Sequence, residues 1–101
     1  MQLPKRLRVG PYRYTVSPQP NVHSGDGSRD FGSVNHLDGS IIINSTADAD
    51  RQVATFWHEL MHAFDHCYNI DLSEAQTDQL GNALAAFFID NPSLAPAWSK
   101  K

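Results

Sequence analysis

The chain has 101 residues, enough for one domain around one modest core and too few for two. With 41% apolar and 19% charged residues and a formal charge of −3, it is neither disordered nor collagenous, and nothing in the balance of charge calls for a nucleic-acid partner. Its single cysteine, Cys67, excludes an intrachain disulfide and points to a reducing compartment, while the absence of a long apolar run argues against a signal peptide or membrane partner and for a cytoplasmic protein.

In chain order, Leu7 and Val9 alternate with Arg6 and Arg8, Gly10-Pro11 interrupts, and Tyr12, Tyr14 and Val16 alternate with Arg13 and Thr15. That period of two predicts a first hairpin, with the basic residues on a solvated face. Residues 17–30 are rich in Pro, Ser, Gly, Asn and Asp without periodicity, which predicts a loop, a gate over a cleft or a linker. Residues 31–37 resume as a strand, Asp38-Gly39 carries the signal of a two-residue turn, and Ser40-Ile41-Ile42-Ile43-Asn44 completes a second hairpin.

Ser45, Thr46 and Asp48 then offer N-cap oxygens for a helix over residues 46–68. Ser73-Glu74-Ala75-Gln76 matches a capping box that opens a second helix over 73–90, and Asn91-Pro92 stops it. A further helical turn is expected around Ala95 to Trp98. The predicted fold is α+β: a small N-terminal antiparallel sheet of about four strands in residues 1–44, followed by two packed helices, all in one domain.

The chemistry concentrates in His58-Glu59-Leu60-Met61-His62. Two histidines four apart on a helix share a face and chelate one ion, with the intervening glutamate beside them. Val53, Phe56, Trp57, Leu60, Phe64 and Cys67 form an apolar arc on the other side, so the histidines are not core filler. His66 lies about 12 Å along the helix from His58, too far to share an ion. Glu74 and Asp78, four apart on the second helix, both stand as candidates for the third ligand. Gly81 and Ala85 on the same face let the two helices approach closely.

Residues 48–98 resemble the small phage-encoded zincin-like metallopeptidases and, more distantly, the ImmA/IrrE group, in which a short sheet precedes two helices. The second helix of such proteins carries an acidic ligand in a pattern of the type Glu-x-x-Ala-Asn, where this chain reads Asp78-Gln79-Leu80-Gly81-Asn82. The opening Leu3-Pro4-Lys5-Arg6 is similar as well. The resemblance implies a zinc site of His58, His62 and Asp78, with Glu74 as the alternative third ligand because aspartate departs from the pattern.

On this reading zinc lowers the pKa of a bound water to about 7, and Glu59 acts as general base in peptide-bond hydrolysis. The substrate is a peptide or protein segment added as a strand beside residues 31–44. His36, His66 and Tyr68 are candidates for an oxyanion donor, and Asp65 for a carboxylate orienting a ligand imidazole. The alternatives are a non-catalytic zinc-binding regulatory or partner-binding module of phage or bacterial origin, and a metal-free interaction domain with Trp57, Phe88 and Trp98 on its partner surface.

Overall fold

The computed structural model describes residues 3–20 and 31–94. Four strands precede two helices: β1 (Arg6–Val9), β2 (Tyr12–Gln19), β3 (Gly32–Asn35), β4 (Ser40–Asn44), α1 (Ala49–Tyr68) and α2 (Glu74–Asp90), with a 3₁₀ turn at Pro92–Leu94. The α+β architecture is the one the alternation of apolar residues predicts. The expected helical turn around Ala95 to Trp98 lies outside the described residues, as does the greater part of the 17–30 loop.

β1 and β2 pair antiparallel with Val9 opposite Tyr12, leaving Gly10-Pro11 as a two-residue turn with Gly10 at φ 58°. Val9, Tyr14 and Val16 point into the core, as their alternation predicts, while Tyr12 stays exposed. β2 runs further than expected: Ser17, Pro18 and Gln19 pair with Ile42, Ile43 and Asn44. This stretch extends past the end of β1, where a proline that donates no N–H is tolerated.

The sheet is mixed, not antiparallel throughout. Its order is β1-β2-β4-β3, with β4 parallel to β2 and antiparallel to β3. β4 takes the inner position because it is the most apolar strand: Ile41 and Ile43 are fully buried, and a strand so apolar is most stable with neighbours on both edges. β3 is left at the edge.

The β3–β4 connection is also longer than the predicted two-residue turn. Asn35 pairs with Ser40, so His36, Leu37, Asp38 and Gly39 form a four-residue loop. The Asn35 side chain accepts a hydrogen bond from the Leu37 N–H at 2.9 Å, which bends the chain two residues early. Gly39 adopts φ 69° and donates its N–H to the Asn35 carbonyl at 3.0 Å; a Cβ there would collide with the Arg13 carbonyl oxygen.

At the end of β4 the buried Asn44 side chain accepts from the Thr46 N–H and hydroxyl, turning the chain toward α1, whose N-cap is Asp48, accepting from the Arg51 N–H at 2.8 Å. α1 packs against both the sheet and α2. Val53, Phe56, Leu60 and Ala63 belong to the core with Val9, Tyr14, Ile41 and Ile43. Trp57 is buried and its ring stacks on Phe88 of α2, with centroids 4.9 Å apart, so these two residues join the helices.

Candidate metal centre

The site begins with one turn of α1. His58 and His62 project from the same side, partly exposed, with ring centroids 4.9 Å apart and planes at 74°. A nitrogen atom of each ring lies within 4.8 Å of one in the other, close enough to share one ion.

α2 supplies the carboxylates, and its placement is fixed locally. α1 ends at Asn69 in the left-handed conformation. Asp65 then accepts hydrogen bonds from the Asp71 and Leu72 N–H groups at 2.6 and 3.1 Å, tying down the connection. That is its role in the fold, in place of the predicted one of orienting a ligand imidazole. Ser73 and Gln76 complete the capping box that starts α2. Further along, a Cβ on Gly81 would lie 2.9 Å from the His58 Cα and 3.0 Å from its N. Only glycine lets α2 approach so closely at the histidine turn, and Ala85, 2% exposed, continues the contact one turn later.

Glu74, at the first turn of α2, thereby faces both histidines. Its Oε1 lies 3.2 Å from His58 Nε2 and its Oε2 3.6 Å from His62 Nε2. One ligand atom each from His58, His62 and Glu74 fit within 4.8 Å of one another, the one such group among the described residues. Asp78 stands differently: its Oδ1 is 3.6 Å from His58 Nδ1, the other ring nitrogen. The resemblance favoured Asp78 as third ligand; the geometry brings Glu74 to the two Nε2 atoms and leaves Asp78 behind the His58 ring. Two imidazoles and a carboxylate are a donor set suited to zinc.

Glu59 is buried, 8% exposed, on the flank of the pair. With His58, Asp78 and Asn82 it lines a cleft of about 350 Å³ that reaches the edge strand at Phe31 and Gly32. A Cβ on Gly32 would meet Thr55 Cγ2 at 2.5 Å and the Ile42 carbonyl at 2.6 Å, so glycine again permits the close contact, here of β3 with α1.

The other predicted polar residues group elsewhere. His36 and His66 stack face to face, with centroids 4.2 Å apart and planes 7° from parallel. The Tyr14 hydroxyl is hydrogen-bonded to His36 Nδ1 at 3.1 Å and sits 3.9 Å from Cys67 Sγ. Burial, reinforced by Cys67, pushes the Tyr14 phenol up to about 12, so it is a donor at neutral pH. Burial first, then the neighbouring His66 and His62, lower His36 below its ordinary value, against the opposing pull of Asp65. The Tyr68 hydroxyl lies near Gly10 in the first hairpin turn. The stacked pair involves a contact across 30 positions of sequence, for which no local pattern gives a signal.

Comparison with protein-family models, with curated proteins and with solved structures gives no match. The fold and the site therefore define the chain as a small α+β domain with a two-histidine, one-carboxylate cluster on a helix pair.

Proposed function

We propose that this chain is a zinc metallopeptidase in which His58, His62 and Glu74 hold the metal and Glu59 is the general base. The observation that carries the reading is the convergence of those three side chains, with a buried glutamate beside them in a cleft that opens onto an edge strand. The carboxylate of Glu74 is 74% exposed, and an ion pair at such exposure contributes at most about 1 kcal/mol. The same three groups hold a divalent ion far more strongly than they hold one another.

Held by His58, His62 and Glu74, zinc would supply a water of pKa near 7 and Lewis-acid polarisation of a peptide carbonyl. Glu59 takes the proton from the attacking water and passes it to the amide nitrogen as the C–N bond breaks. Asp78 Oδ1, 3.6 Å from His58 Nδ1, places a carboxylate on the side of the ring away from Nε2 and favours the tautomer that leaves Nε2 free to ligate. The outer edge of β3 pairs with an extended peptide and lays it along α1 past His58 and Glu59. The substrate is thus an unfolded or extended segment of peptide or protein, in keeping with the resemblance to phage zincin-like peptidases. The lone cysteine suits the cytoplasm of a bacterium or of a phage's host.

Elemental mass spectrometry of the untagged protein, combined with a quenched-fluorescent peptide library, tests this. One zinc per chain and hydrolysis that falls roughly 10²- to 10⁴-fold in Glu59→Gln are expected. Zinc without Glu59-dependent hydrolysis would leave a non-catalytic zinc-binding module; no zinc after reconstitution would remove the metal reading.

A further inference from the structure

Arg51 lies seven residues before His58 on α1, two turns earlier and about 20° out of line, so it shares the face of the histidines about 10 Å along the axis. It lines the same cleft as His58, Glu59 and Asp78, and among the described residues it is the only arginine or lysine to do so. Its guanidinium rests over the Phe31 ring, 4.6 Å from the centroid, and among the described residues it forms no ion pair. An arginine held flat on an aromatic ring keeps its hydrogen-bonding edge available and loses little freedom on binding a carboxylate.

The surrounding charge makes that arginine decisive. Glu59, Asp78 and Glu74 surround the reaction centre with three carboxyl groups. Among the described residues that line the cleft, Arg51 is the one permanent cation, set apart from the acids Glu59 and Asp78.

The strand geometry fixes which part of a substrate arrives there. Gly32 adjoins Thr55 and Glu59, while His36 stacks on His66, so β3 runs in the same direction as α1. A peptide pairing antiparallel to the free edge of β3, the more stable arrangement, runs the opposite way. Its C-terminal portion reaches Arg51. At about 3.3 Å per extended residue, and allowing for the length of the arginine side chain, the residue met lies about two or three positions beyond the scissile bond.

We propose that Arg51 is a specificity-determining residue that takes a carboxylate on the C-terminal side of the scissile bond, from an acidic side chain or from the free C-terminus of a short substrate. This rests on the cleft being the peptide site proposed above. Binding is measured by fluorescence anisotropy on the zinc-supplemented Glu59→Gln protein, which keeps the peptide intact. The probes are eight-residue Ala/Thr peptides with one glutamate scanned through the sequence, each with a free or an amidated C-terminus.

Tightening of roughly tenfold by one placement of carboxylate is expected, reversed in favour of lysine by Arg51→Glu and abolished by Arg51→Gln. Loss on amidation alone identifies the terminal carboxylate as the group bound; loss on removing the glutamate identifies the side chain. A preference unchanged in both Arg51 variants, no preference at all, or no binding by any peptide overturns the assignment. Cleavage of the same peptides by the chain with Glu59 intact separates the two claims. Hydrolysis without an Arg51-dependent preference removes this inference and leaves the peptidase, whereas an Arg51-dependent preference without hydrolysis does the reverse.

Discussion

The protein carries two histidine pairs within one helix length of each other, and they differ in every respect that governs chemistry. His58 and His62 are inclined at 74° and meet carboxylates at 3.2 to 3.6 Å. His36 and His66 are parallel within 7°, and His36 has a phenol hydroxyl as its hydrogen-bond partner. Rings with anionic neighbours suit a cation held between them, whereas burial of His36 favours its neutral imidazole. The number of histidines is thus a poor guide to a metal site; the sign of the surrounding charge decides it.

The sharpest way to break this contrast is to measure zinc affinity in variants of each pair. Glu74→Ala is expected to lose more affinity than Asp78→Asn, for which a drop of about 10- to 100-fold is expected of an outer partner to a ligand imidazole. His66→Ala should leave affinity and stoichiometry unchanged. Competition with a chromophoric chelator reads all three, and a larger loss in Asp78→Asn than in Glu74→Ala would exchange the roles of the two acids.

A smaller effect is expected from Gly81→Ala. Its methyl group would press on the His58 backbone, a cost of about 1–3 kcal/mol from overpacking, offset by about 1 kcal/mol of helix propensity. Urea unfolding of the metal-free protein should show a net loss of up to about 2 kcal/mol, accompanied by weaker zinc binding as Glu74 is displaced. Unchanged stability and affinity would mean that the helices do not need the glycine contact.

The smallest effect belongs to the stacked pair and shows in the pH dependence of stability in the presence of chelator. Because His36 is lowered below 6.5, the unfolded chain takes up a proton that the folded chain refuses over the window just below that value. Stability should fall as the pH drops through that window and be unaffected by this group above it. His36→Gln should flatten the slope; an identical slope in the variant would show that the stacked pair does not resist protonation.

How much of this was legible beforehand follows the range of the interactions involved. The Asp48 cap, the Ser73/Gln76 box, the first hairpin and the face shared by His58 and His62 depend on residues within four or so positions, and each is visible in the sequence. So is the need for small residues at Gly81 and Ala85. The parallel pairing of β2 with β4 depends on which strand is most apolar relative to the others, a comparison across the whole chain; the Ile41-Ile42-Ile43 run carried that signal. The third ligand was half legible. Glu74 and Asp78 share a face by spacing, but which of them reaches both Nε2 atoms depends on the turn of α2 that lies opposite His58, a tertiary alignment with Gly81 at its contact point. The longer glutamate side chain, one turn earlier, spans the gap that the aspartate does not.

The distribution of the three proposed ligands over two helices has a consequence for the opening of the hairpin. His58 and His62 belong to α1 and Glu74 to α2, so a bound ion fastens the hinge of a helical hairpin at the point where its arms separate. Opening of α2 then requires release of the ion, and each tenfold rise in free zinc above the dissociation constant adds about 1.4 kcal/mol against opening. With zinc held as proposed, the rate at which proteases reach the interhelical surface around Trp57 and Phe88 would follow zinc supply.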